Sequence, residues 1–381
     1  MSILTVTNFR SIMVRTLTLL AILLMSVTHA TGQSGPLRVG VVGLTHTHVH
    51  GIFNSEGRGD IEIVGIVEPN DTLAERYAGQ YGFGLDIVYS TLEEMLDAQS
   101  PTAVTAFGTI YDHLAIVETC APRGIHVMVE KPLAVSLDHA HRMEALAREH
   151  DIHLLTNYET TWYPTNHRAY ALVKEDSLVG ALRKVVVRDG HRGPKKIGVD
   201  PEFLEWLTDP NLNGGGAITD FGCYGANLMT WLMDGQRPLT VTAVTQQQQP
   251  ENNPLVDDEA LIILTYPSTV ALIQASWNWP IGRKDMEIYG LTGVVYADNR
   301  HDLRIRQPVG YDGFTEEALT LPERTAPYDD PFAYLAAVIE GTVTVRPTDL
   351  SALENNVTVM EILDAAVRSA RSGETVVLHS R

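Results

Sequence analysis

Between residues 37 and 157, short β-branched runs alternate with stretches of helical period, and that alternation predicts a parallel, doubly wound sheet covered by helices on both faces. Strands are expected at 38–42, 61–67, 103–107, 126–129 and 153–155, with helices at 72–81, 91–98, 114–121 and 137–150. After residue 157 the pattern changes. Gly-rich turns and longer β-rich runs at 182–188, 239–246, 261–266, 270–277 and 286–289 predict an α+β domain built on a large antiparallel sheet. The tail 352–372 has helical period. The expected organisation is therefore one α/β domain over 37–157 and a second, α+β domain over 158–381, with no internal repeat.

The first 30 residues stand outside this pattern. Arg10 and Arg15 precede an apolar run over 17–27, and Thr28-His29-Ala30 follows with small-x-small spacing. This reads as a secretory signal peptide cleaved near Ala30, with 31–36 as a linker. The run is too short to span a bilayer, and there is no twin-arginine pair. The expected location is secreted or periplasmic.

Charge narrows the partners. With 28 basic against 47 acidic residues the net charge is −19, so nucleic acid phosphates and anionic lipid surfaces are repelled. A small molecule is the expected ligand, with no nucleic acid and no membrane after signal cleavage. Cys120 and Cys223 are the only cysteines. They fall in different predicted helices, are expected to be buried and unpaired, and cannot make a cysteine-based metal site.

Two motifs carry chemistry. Glu130-Lys131-Pro132 ends the apolar run 124–129, which places an ammonium group at a strand's carboxyl end, where open α/β sheets bind ligands. The proline disfavours helical geometry at Lys131 and permits a cis bond. Further on, Gly214-Gly215-Gly216 leads into a predicted helix carrying Asp220 and Tyr224. Four residues apart, they share a face. Lysine, carboxylate and phenol can together move a proton on and off a hydroxyl, because a nearby ammonium favours ionisation of a phenol that is otherwise a weak base at neutral pH.

In this order, the two motifs resemble the glucose-fructose oxidoreductase, inositol dehydrogenase and MocA (Gfo/Idh/MocA) family over essentially the whole chain after the leader. The resemblance implies an N-terminal Rossmann domain, a nicotinamide cofactor and a C-terminal domain whose sheet associates into homo-oligomers. It also implies a division by the residue four after the aspartate. That residue is histidine in inositol dehydrogenase-like members and tyrosine in glucose-fructose oxidoreductase-like and in dihydrodiol or xylose dehydrogenase-like members. Tyr224 puts this chain in the tyrosine class, with Lys131, Tyr224 and Asp220 as catalytic candidates.

Gly43-Leu44-Thr45-His46-Thr47-His48 follows the first strand, where a dinucleotide fold places its Gly-rich turn. Thr45 and His48 replace the second and third glycines. Glu68 closes the second strand, where a carboxylate can accept from ribose hydroxyls and repel a 2′-phosphate, which favours NAD. The expected cofactor residues are Gly43, Thr45, His46, Thr47, His48, Glu68, Thr109, His113, Glu130 and Lys131; Thr109 and His113 match the family's segment beside the nicotinamide. Helical spacing sets His48 apart from His46 and His50, so no metal site is expected. Asn157, Trp162, Tyr163, His191, Arg192, Asn227 and Trp277 are the expected substrate residues. Trp162-Tyr163-Pro164 stands where the family carries Arg-Phe-x-Pro.

The chain is thus expected to be an exported NAD-dependent oxidoreductase acting on a sugar or polyol hydroxyl, with a tightly held, internally recycled cofactor. Two alternatives stay open: a glycoside hydrolase or lyase that oxidises its sugar transiently, and a sugar- or dinucleotide-binding protein without turnover.

Overall fold

The computed structural model describes residues 35–378 except Glu56; the expected signal peptide lies outside the described residues. The chain from Pro36 on packs as one compact unit. Its first sheet has strands β1 (Leu37–Val42), β2 (Ile61–Val67), β3 (Val88–Tyr89), β4 (Ala103–Ala106), β5 (His126–Glu130) and β6 (Leu154–Asn157). All its pairings are parallel, in the order β3-β2-β1-β4-β5-β6. Chain order reverses between β1 and β4, and the crevice beyond their carboxyl ends is where such a sheet receives a ligand.

Alternation along these strands builds two cores. Val127 and Val129 of β5 face one apolar cluster and Met128 the other, as the two-residue period of a strand requires. Helices at Asp71–Tyr81, Leu92–Gln99, His113–Cys120 and Leu137–Glu149 cover the sheet, each within a residue or two of its expected span. Cys120 and Cys223 are buried free thiols.

The second sheet is large and mainly antiparallel, as expected, with one parallel pair at its centre. Its nine strands are β7 (Leu182–Gly190), β8 (Thr240–Gln246), β9 (Glu259–Thr265), β10 (Val270–Ser276), β11 (Arg283–Gly290), β12 (Val294–Ala297), β13 (Asp302–Val309), β14 (Gly313–Thr320) and β15 (Val376–Val377). Within the order β14-β13-β12-β11-β7-β10-β9-β8-β15, the central pair β7–β10 is parallel. Parallel neighbours need a long crossover, and here it is the excursion between Gly190 and Val270, which contains the helix Gly222–Leu232. That helix and the closing helix Leu353–Ser372 pack on this sheet.

Candidate active site

Lys131 ends the run of β5 and is 6% exposed; the Lys131–Pro132 bond is cis. Its ammonium pairs with Asp220 Oδ1 and donates to the Asp220 carbonyl at 3.2 Å. Asp220 is buried as well, and its Oδ2 accepts from Trp277 Nε1 at 2.9 Å. Burial would raise the Asp220 carboxyl, but Lys131 holds it below its usual range; burial likewise opposes the charge on Lys131, and Asp220 raises it. The pair is therefore an ion pair.

The expected helix carrying both Asp220 and Tyr224 is broken. One short turn, Ala217–Asp220, ends at Phe221 (φ −111°, ψ −25°), and the long helix begins at Gly222. Gly216 sets the approach, because a Cβ there would meet the Asp257 carbonyl oxygen at 1.8 Å. Despite the break, Tyr224 reaches the same place. Lys131 Nζ lies 5.3 Å from its ring centroid and Lys284 Nζ 5.2 Å from it. The phenol, 1% exposed, is pushed well above its usual value by burial first and then by Glu159, Cys223, Asp220 and Glu130. Lys131 thus does not ionise the phenol by itself, because its charge is taken up by Asp220.

Beside this group is the Gly-rich turn. Gly43 has φ +83°, and a Cβ there would lie 2.7 Å from Gly108 N, so glycine is required both for the conformation and for the close approach. Residues 43–48 form no regular element; the helix begins only at Val49. That irregularity corrects the expectation for the histidines. The rings of His46 and His48 meet edge-on at 4.5 Å, and ligand atoms of His46, His48 and Glu130 all lie within 4.8 Å of one another, close enough to share a metal ion. His48 Nδ1 instead bonds Glu130 at 2.7 Å, while His50 turns away to Tyr81. Glu130 also accepts from Asn157 Nδ2 at 2.8 Å, across the β5–β6 register.

Thr45 Oγ1 accepts from Trp206 Nε1 at 3.1 Å, and His46 packs against Phe203, so the helix Pro201–Leu207 covers the turn. Thr47 Oγ1 and His113 Nε2 are buried without a partner. His113 is held as the neutral imidazole, down to about 4, by burial, with Nδ1 3.1 Å from the Leu133 carbonyl. Glu68 is buried and raised by that burial; it accepts from the amides of Leu44 and Asn70 at 3.1 and 3.0 Å. Thr109 caps the turn Ile110–Asp112 with its hydroxyl.

Two cavities meet at Glu159. One, of about 340 Å³, is lined by Thr47, His48, Asn157 and Trp162; the other, of about 530 Å³, by Tyr163, His191, Phe221, Arg283, Lys284 and Arg300. Lys131 and Tyr224 themselves line neither, but their neighbours do: Lys284, over the Tyr224 ring, and Phe221, over which Lys131 also lies, stand in the wall of the second. A further cavity of about 400 Å³ lies around His167, Trp231 and Arg324. Not every expected substrate residue reaches the site. Asn227 is fully buried and lines neither cavity at Glu159; its Nδ2 donates to the Leu350 carbonyl and to Asn356 Oδ1, tying its helix to the closing one. Arg192 lines neither cavity at Glu159. Trp277 is fully buried, so it offers no face to a sugar and serves Asp220 instead. Glu159 and Lys284, which form an ion pair, were not among the expected residues.

Residues 37–158 match the sequence model of the oxidoreductase family with an NAD-binding Rossmann fold, and residues 167–296 that of the GFO/IDH/MocA C-terminal domain. D-xylose 1-dehydrogenase [NADP(+)] of Haloarcula marismortui is 29% identical over 192 residues, 49% of this chain and 52% of that protein. Trans-1,2-dihydrobenzene-1,2-diol dehydrogenase of Sus scrofa is 26% identical over 238 residues, 61% of this chain and 66% of that one. The chain thus spans about half to two thirds of the length of these curated relatives. Two solved structures share the fold. An inositol dehydrogenase homolog complexed with NAD+ from Azotobacter vinelandii superposes with a TM-score of 0.78 at 18% identity, covering 91% of this chain and 98% of that one. For an aldose-aldose oxidoreductase from Caulobacter crescentus the values are 0.74, 22%, 90% and 100%.

Proposed function

The chain belongs to the Gfo/Idh/MocA oxidoreductase family, and from that premise we propose that it is an NAD-dependent oxidoreductase acting on a hydroxyl of a sugar or polyol. The observation that carries this reading is the meeting of Lys131, Asp220 and Tyr224 at the carboxyl end of β5, one strand from the switch point and beside the Gly-rich turn. The residues at the turn fit a dinucleotide. Gly43 permits close backbone approach, the unpartnered hydroxyl of Thr47 can donate to a phosphate, and the bare His113 Nε2 can accept from an amide. When bound, NAD supplies the hydride acceptor. Tyr224 exchanges the hydroxyl proton, Lys131 holds an ammonium over its ring, and Asp220, steadied by Trp277, fixes the lysine and takes up most of its charge. Buried and neutral at rest, the phenol is a ready donor in the direction that returns a proton to a carbonyl oxygen.

Glu68 bears on cofactor choice. A carboxylate at the end of β2 favours ribose hydroxyls over a 2′-phosphate, so Glu68→Ser should weaken NAD and narrow its margin over NADP in titrations of intrinsic fluorescence. Equal affinities of the unaltered protein for the two would remove this assignment.

We also place the protein outside the cytosol, on the strength of the 17–27 apolar run and Thr28-His29-Ala30. Free dinucleotide is scarce there, so a cofactor that is held and reset within the cycle suits the compartment. The helix Pro201–Leu207 is a cover of the right kind: Trp206 and Phe203 contact the turn, and Glu202 pairs with Arg76 across from it. The purified protein is expected to keep NAD(H) through dialysis, and Trp206→Ala to lose it. Free NADH accumulating in step with product would refute the recycled cofactor and leave a freely exchanging dehydrogenase.

A further inference from the structure

Tyr224 has a second cationic neighbour that neither motif contains. Lys284, on β11, lies 5.2 Å from the ring centroid, as near as Lys131 at 5.3 Å. Each lysine is paired with its own acid: Lys131 with Asp220, Lys284 with Glu159. Glu159 stands where the two cavities meet and also accepts from Tyr163 at 2.5 Å.

We propose that Lys284 is a positioning residue for the Tyr224 phenol, and that Glu159 governs how much of the Lys284 charge the phenol feels. This rests on reading Tyr224 as the proton relay.

The groups facing the phenol divide clearly. Glu130 ends β5 and Lys131 follows it, Asp220 and Cys223 come from its own segment, Glu159 and the ring of Tyr158 from the stretch after β6, and Lys284 from β11, whose register sets Lys284 opposite Asp189. Among the charges that oppose its ionisation Glu159 comes first, after burial. Burial would raise the Glu159 carboxyl too, but Lys284 and then Tyr163 bring it down to about 2, so its negative charge persists across the working pH range. Asp189, buried with both oxygens unpartnered, is pushed up by burial and carries little charge of its own. Two ammonium groups are thus held against the phenol, and the more exposed acid, Glu159, is the one that substrate or cofactor can reach. A ligand hydroxyl that takes over Glu159 would free Lys284 to support a phenolate, coupling occupancy of the site to the readiness of the base.

The two partners should act in opposite directions. Lys284→Met removes a cation and leaves Glu159, so it should move the pH limb that reports phenol ionisation upward by about one unit or more. Glu159→Gln removes the opposing charge and releases Lys284, so it should move the same limb downward. Lys284→Arg keeps the charge and should restore the limb of the parent. The readout is the kcat/KM profile, together with an ultraviolet difference titration of tyrosinate in each protein against its own Tyr224→Phe counterpart, which needs no turnover. Failure of Lys284→Met and Glu159→Gln to shift the limb, or shifts in the same direction, would overturn the proposal. If Tyr224→Phe turned over at the parent rate, the relay reading would fall, whereas the tyrosinate titration would still decide the charge relation.

Discussion

Tyr224→Phe should lower kcat on the best sugar or polyol substrate by about two to four decades, the scale of a lost general acid or base, with NAD affinity nearly unchanged. The expectation follows from placement. The ring is buried with two lysine ammonium groups over it, and phenylalanine fills the same volume without the hydroxyl. The phenol hydroxyl has no hydrogen bond to another protein group among the described residues that its removal would break, so the fold should tolerate the change and the loss should read on chemistry. Binding titration of NAD and thermal unfolding, run beside the kinetics, separate a lost relay from a damaged protein. A variant within a factor of a few of the parent would require another proton carrier.

What could be read from the chain, and what could not, follows the range of the interactions. Strands β1, β2 and β4–β6 show as β-branched runs because both their faces are covered. β3 is only two residues long and has no period to show. β14 is almost wholly exposed, and its place comes from pairing with β13, where Glu316 stands opposite Arg306. The helix Pro331–Ile339 is apolar nearly all round and buried, so it lacks the polar stripe by which helical period is recognised.

The site divides in the same way. Lys131 and Asp220 with Tyr224 lie in compact motifs whose spacing carries their chemistry. Glu159 and Lys284 stand 125 positions apart, one in the turn after β6 and the other on β11, and only the tertiary fold brings them together. Trp277 and Asn227 were readable as residue types but not as roles: an indole N–H aimed at Asp220 and an amide tied to Leu350 are facts of packing. The histidines at 46 and 48 meet because the turn is irregular, and helical spacing was the wrong ruler for them.

Lys131→Met is expected to be the most destabilising of these changes, by about 3–5 kcal/mol near neutral pH, because it leaves the Asp220 charge buried without its partner. That is a large part of the usual margin of about 5–15 kcal/mol. The pH dependence separates this cause from lost packing. In the parent, Asp220 is held below its ordinary value, so its contribution is fully present above the unfolded-state value of about 3.9 and is lost as pH falls through the lower folded value. In the variant burial, the largest influence, is opposed only by His191 and the Trp277 bond, and the folded value is expected to rise above the unfolded one. The penalty then stands at high pH and shrinks as pH falls through the raised value, where the folded protein takes up the proton that neutralises the carboxyl. Urea unfolding across that range should therefore show the gap between variant and parent narrowing toward acid, and Lys131→Met with Asp220→Asn should recover much of the loss at neutral pH. A gap of constant size at every pH would mean that methionine costs packing alone, and that the ammonium and carboxylate contribute little to each other where they lie.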